Sequence, residues 1–280
     1  MRIIKSQLIT QTVAAMCMEA NYILPQDIRQ ALDRAYTTEK SPTGKDILGD
    51  IIENYKIASA DTVPICQDTG MAVFFVEIGN EVHIEGDSLN DAINKGVAQG
   101  YTEGYLRKSI VADPLRRTNT GDNTPAVVHI SYVYGDSIKI TIAPKGFGSE
   151  NMSAIRMFAP SAGIEGVKDF VIETVSKAGS NPCPPIVVGV GIGGNFESCA
   201  QLAKKALSTE LDVPNPDSFY AELEAELLDS INKLGIGPQG FGGTNTALGV
   251  KILTAPTHIA GMPVAVNISC HVTRHMTKTI

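Results

Sequence analysis

The spacing of apolar residues changes character along the chain, and the changes mark out its elements. Over the first 60 residues or so the pattern is helical. Pro25 suits the first turn of a helix through IRQALDRAY, and Ser41 or Thr43 can cap a second through GKDILGDIIENYKIA. MAVFFVEIG (71–79) then reads as a strand following the CQDTG turn. Ser88 with Asp91 makes a capping-box start for a helix reaching about Lys108. AVVHISYVY (126–134) and SIKITIAP (137–144) read as strands joined in a hairpin at Gly135–Asp136. GIEGVKDFVIETVSKAG is an amphipathic helix ended by Gly179. PIVVGVGIGG is a buried strand, and FESCAQLAKKAL is the helix after it. PDSFYAELEAELLDSINKLG is a long helix between Pro216 and Gly235. TALGVKIL and PVAVNIS are two more strands, the second leading to Cys270.

Strands and helices mix without strict alternation. The expected fold is therefore α+β, an irregular mixture with N-terminal helices followed by mixed sheets and flanking helices. With 280 residues, 43% of them hydrophobic, the chain can bury a sizeable core. One domain over 1–280 is expected, with a helical region over about 1–60. No apolar stretch is long enough for a membrane helix. The start of the chain reads as an amphipathic helix interrupted by Gln7, Gln11, Glu19 and Asn21, and not as a secretory signal, which points to the cytoplasm. The net charge of -7, with no cluster of Lys and Arg, argues against nucleic acid as a partner. It leaves room for a small anion, because a few cations can dominate a pocket.

Glycine gathers in GDNTPA, KGFGSEN, GVGIGGN and GIGPQGFGGTN. One such cluster is a tight turn; four in one chain suggest a backbone-lined anionic site. Gly189, Gly191 and Gly194 match the dinucleotide pattern G-x-G-x-x-G, with Glu210 and Asp212 at a suitable distance. The segment after the next helix, VPNPDSF, leads to a second helix where that motif wants a strand. A dinucleotide-binding protein is thus a secondary reading.

The five cysteines are an odd set for a disulfide framework. Cys17 and Cys199 sit in helical patterns beside small apolar residues, where a thiol packs. Cys66, Cys183 and Cys270 sit in VPICQDTG, NPCPPI and NISCHVTRH, at strand edges or in turns bounded by Pro or Gly. Their wide spacing is not the compact spacing of ferredoxins.

The long motifs CQDTGMAVFFV, RRTNTGDNTPA, KGFGSENMSAIRMFAP, NPCPPIVVGVGIGGNFE, LGIGPQGFGGTNTALGVKI and APTHIAGMPVAVNISCHVTRH occur in this order. Together they make the chain resemble the α subunit of class I fumarases, the oxygen-sensitive iron–sulfur hydro-lyases that include L-tartrate dehydratase. The resemblance implies a [4Fe–4S] cluster held by Cys66, Cys183 and Cys270, with one iron open to substrate. It assigns catalytic roles to Asp68 and His258, and substrate binding to Gln67, to Arg107 through a carboxylate and to Gly148 through its backbone. Read from the residues alone, Asp68 would shape an Asx turn, Arg107 would end a helix in solvent, and His258 would sit in a turn. His271 and His275 lie near Cys270 in sequence and receive no role.

The resemblance further implies a β subunit carrying a C-terminal catalytic domain, and a homodimer of α chains within a heterotetramer. The APTHIAG and KGFGSEN forms look like the fumarase branch, so fumarate hydration to L-malate is the expected reaction. L-tartrate dehydratase and mesaconase are the alternatives within the class, and a non-catalytic iron–sulfur sensor is the alternative outside it.

Overall fold

The computed structural model describes residues 1–280. In chain order it begins with β1 (Arg2–Lys5), α1 (Ser6–Tyr22), α2 (Gln26–Thr38) and α3 (Pro42–Asp61). There follow β2 (Met71–Gly79), β3 (Val82–Glu85), α4 (Leu89–Glu103), β4 (Val127–Val133) and β5 (Ile138–Lys145). Next come α5 (Phe147–Glu150), β6 (Ala154–Phe158), α6 (Gly163–Ala178), β7 (Ile186–Gly194), α7 (Phe196–Ala206) and α8 (Ser218–Asn232). The chain closes with β8 (Ala247–Thr257), β9 (Met262–Ser269) and β10 (Met276–Thr279). This is an α+β fold with two mixed four-stranded sheets, as the pattern of apolar residues implies.

The helix signals act where the sequence puts them. Ser41 Oγ accepts the Gly44 N–H at 3.1 Å and starts α3. Ser88 Oγ accepts the Asp91 N–H at 3.2 Å and starts α4. Gly179, with φ 54°, ends α6. α4 stops at Glu103, short of Lys108, because Gly104 closes it and Tyr105 turns back with φ 51°. Arg107 therefore lies in a loop and not at a helix end.

The chain divides into two compact units. The first comprises residues 1–25, 55–147 and 274–280; the second comprises 26–54 and 148–273. The helical N-terminal stretch is thus shared, with α1 in the first unit and α2 in the second. In the first unit the sheet order is β10-β5-β2-β4. Its core gathers Ile9, Val13 and Met16 of α1, Phe74 and Val76 of β2, Ile93, Val97 and Tyr101 of α4, and Ile138, Ile140 and Ile142 of β5. Each large apolar side chain buried here contributes roughly 1.5–3 kcal/mol.

The expected hairpin is absent. β4 pairs in parallel with β2, and β5 pairs with the other edge of β2 in antiparallel sense. The Gly135–Asp136 turn carries the chain around the end of β2, where Glu81 N–H donates to Gly135 O at 2.9 Å. The reason is burial. β2 is hidden along almost its whole length and takes the middle of the sheet, while β4 is exposed from Ile130 onward and takes an edge. The second unit repeats this plan in the order β6-β9-β7-β8. There β8 and β9 flank the glycine-rich β7, one parallel and one antiparallel. α6 and α8 pack on this sheet through Phe170, Val171, Val175, Leu223, Leu227 and Ile231.

Candidate active site

The loop before β2 carries Cys66, Gln67 and Asp68, and hydrogen bonds within the first unit hold it. Asp68 N–H points at Cys66 Sγ, 3.4 Å away. Asp68 Oδ1 accepts the Gly70 N–H at 3.0 Å, which is the Asx turn read from CQDTG. Its other oxygen, Oδ2, accepts the Phe147 N–H at 2.9 Å. Gly70 has φ 79° and lies so close to Lys145 that a Cβ would stand 2.7 Å from its backbone nitrogen, so no other residue fits. Tyr101 Oη, fully buried, donates toward the carbonyls of Thr69 and Gly70 at 2.9 and 3.0 Å. Buried Asn123 donates to Gly70 O at 3.2 Å. The loop is rigid because so many of its peptide groups are already held from the core side.

Arg107, near this loop, is open to solvent. Its backbone carbonyl accepts the Thr69 hydroxyl at 3.2 Å, which ties the Arg107 loop to the Cys66 loop. Lys145 and Arg274 are 4% and 3% exposed and belong to the scaffold.

In the second unit Cys183 and Cys270 lie at one end of the sheet, the first just before β7 and the second just after β9. These strands run antiparallel, with Val187 opposite Ser269. His271 Nδ1 lies 2.9 Å from Cys183 O, and the His271 N–H also reaches that carbonyl, at 3.4 Å. Gln239 supports the same corner: its backbone and side-chain N–H groups donate to Pro184 O at 2.7 and 2.9 Å. Cys183 itself stands in the left-handed region at φ 56°, a conformation that a non-glycine residue keeps only when its surroundings impose it.

His258 stands apart from this corner. It is exposed in the turn between β8 and β9, at the other end of β7, where Gly194 pairs with Thr257. The nine residues of β7 separate the two ends by roughly 25 Å. His258 Nδ1 accepts the Ala260 N–H at 3.1 Å, so the neutral ring carries its proton on Nε2. Gly148 is exposed within α5, with a Cβ position 3.8 Å from Asn181 O, and its backbone is open to approach.

The profile of the fumarate hydratase (Fumerase) family matches residues 10–279. The chain belongs to that family. A putative L(+)-tartrate dehydratase subunit alpha of Methanocaldococcus jannaschii is 44% identical over 97% of both chains. The L(+)-tartrate dehydratase subunit alpha of Escherichia coli K12 is 33% identical over 97% of this chain and 90% of its own length. That of Shigella boydii matches to the same extent. This fumarase-family chain is a hydro-lyase subunit.

The family's cluster can be tested against the thiols present. All five cysteines are free. Cys17 and Cys199 are fully buried, and burial pushes both thiols up, away from the thiolate that a metal needs. Cys183 is exposed and Cys66 and Cys270 are half-buried, each in a polar loop. No three His, Cys, Asp or Glu side chains gather tightly enough to hold a single ion. Ligands to a cubane cluster stand further apart, since each binds a different iron. The donor set fits an iron–sulfur cluster by residue type and accessibility.

Sequence reasoning did not single out the residues that hold these loops: Tyr101, Asn123 and Gln239. Each is a polar residue whose meaning lies in a distant partner. Glu150 is another. It pairs with Lys204 of α7 and accepts Asn267 Nδ2 of β9 at 2.9 Å, anchoring the KGFGSEN segment to the strand that leads to Cys270.

Proposed function

We propose that residues 1–280 form the α subunit of an iron–sulfur hydro-lyase acting on a four-carbon 2-hydroxydicarboxylate, with L(+)-tartrate as first substrate. The observation that carries this is the end-to-end likeness to α subunits named for L(+)-tartrate dehydration. It moves tartrate ahead of the fumarate reaction that the motifs suggest. Hydration of fumarate to L-malate is the second reading, favoured by the family profile and by the APTHIAG and KGFGSEN forms. The name "subunit alpha" supports a partner subunit, which in this reading is a β chain carrying further site residues. No helix is long and apolar enough to cross a membrane, and a cytoplasmic location is part of the same proposal.

In this reading Cys66, Cys183 and Cys270 hold a [4Fe–4S] cluster. When bound, the cluster supplies an open iron as Lewis acid for the departing hydroxyl. The Arg107 guanidinium pairs with a substrate carboxylate through two parallel N–H donors. Gln67 and the Gly148 backbone orient the rest of the dianion. Asp68, held by two backbone N–H groups, acts from a fixed position. His258 offers its Nε2–H. Because β7 separates His258 from Cys183 and Cys270, we assign it to the site of a second α chain, in keeping with an α homodimer within a heterotetramer.

The test is anaerobic reconstitution of the αβ complex, followed by side-by-side kinetics. Oxaloacetate should form from L(+)-tartrate with a kcat/KM above that for L-malate, fumarate or mesaconate. A higher value for fumarate or malate would restore the second reading. A loaded complex that turns over none of them would leave a sensor.

A further inference from the structure

Arg274 is a buried cation whose direct hydrogen-bond acceptors are both neutral. It is 3% exposed. Its Nη1 donates to Asn21 Oδ1 at 2.7 Å and its Nη2 to Asp68 O at 2.9 Å, both neutral acceptors. Its Nε is buried with no hydrogen-bond partner. The carboxylate of Asp68 accepts from the N–H groups of Gly70 and Phe147 and makes no direct hydrogen bond to Arg274. A guanidinium cannot escape burial by losing its proton. An unpaired buried charge costs several kcal/mol, and charged side chains are almost never fully buried without a partner.

Asp68 is the link that gives this charge a purpose. Its carbonyl takes the Arg274 donor, while its N–H points at Cys66 Sγ. Arg274 thus fixes the residue that donates to the sulfur, and adds a positive field behind it in a region shielded from water. We propose that Arg274 is the positioning residue and counter-cation of the Cys66 ligand, its charge balanced by the anionic thiolate and cluster. This rests on Cys66 being a cluster ligand. Net charge and hydrogen bonds to sulfur set the potential and retention of iron–sulfur centres, so both should respond.

The experiment compares wild type, Arg274→Lys and Arg274→Gln in the αβ complex, with Cys66→Ser alongside. Three quantities are read: the cluster's midpoint potential, the rate of iron loss to a chelator, and the gain in Tm on loading. A nearby cation favours the more negative, reduced cluster. Arg274→Gln should therefore lower the midpoint potential, speed iron loss by roughly tenfold or more, and shrink the gain in Tm. Arg274→Lys keeps the charge and should stay near wild type in potential. A purely structural role would lower the Tm of the loaded and unloaded forms equally and leave the potential alone. That outcome overturns the proposal, as does a wild-type potential in a folded, loaded Arg274→Gln. If Arg274→Gln fails to fold, Arg274→Lys decides by retention of the cluster: faster iron loss and a smaller gain in Tm on loading support the proposal, and iron loss at the wild-type rate with an equal drop in Tm of both forms overturns it. If Cys66→Ser loads like wild type, the ligand assignment beneath the proposal fails instead.

Discussion

Glu39 accepts hydrogen bonds from the backbone N–H groups of Lys40, Ser41, Thr244 and Asn245 and from the side chains of Thr244 and Asn245. Burial alone would raise its carboxyl. The donors from Ser41, Asn245 and Thr244 outweigh that and bring it to about 2. A carboxyl held below its unfolded value stabilises the fold fully above that value and loses the contribution as pH falls through the folded one. Glu39→Gln turns an amide N–H donor toward facing donors and should cost about 2 kcal/mol at pH 7, read by chemical denaturation. The gap to wild type should close between about pH 4.5 and 2. Arg107 invites the complementary test, since it faces solvent and holds nothing else in place by its side chain. Arg107→Lys keeps the charge and loses the flat fork, so kcat/KM in the complex should fall by roughly 1.5–3 kcal/mol in transition-state terms while Tm stays put.

Among the elements, β7 carries the clearest lesson. Gly189 and Gly191 lie inside the strand and do not form a phosphate-binding turn. Their missing side chains let α7 pack down: a Cβ at Gly191 would stand 2.1 Å from Cys199 O, and one at Gly189 2.2 Å from Ala203 O. Asn195 and Ser198 then cap α7 reciprocally. The G-x-G-x-x-G pattern is therefore a packing signature here. Gly191→Ala must push helix from strand and should destabilise the protein by roughly 1–3 kcal/mol or more, seen as a drop in Tm. Calorimetry with NAD or NADP should give no saturable binding to the wild type.

For the molecule as a whole, the distribution of cations bears on assembly. Of Arg107, Lys145 and Arg274, two are buried, and a dianionic substrate needs more than one cation. The partner implied by relatives named subunit alpha fits this shortage. The isolated, cluster-loaded α chain should turn over tartrate or fumarate at least roughly 10²-fold more slowly than the αβ complex, the scale of losing one charge-stabilising group. Equal rates would remove the need for the partner.

The sequence by itself determined the longer helices and the central strands, because helix caps, glycine stops and apolar period act over a few neighbouring residues; the short strands β1, β3, β6 and β10 carry too few residues to show a pattern. It also determined the family, because Cys66, Cys183, Cys270 and the glycine-rich motifs around them are fixed in order and type. Pairing was decided only in three dimensions. AVVHISYVY and SIKITIAP are equally good partners for each other locally, and it is the burial of β2 that drives them to its two edges. Nothing near Arg274 in the chain announces that it will lie beneath Asp68, or that Glu39 will hold Thr244 and Asn245. Such contacts join residues some 200 positions apart, and only the packed core selects which distant polar groups meet and which charge finds only neutral hydrogen-bond acceptors.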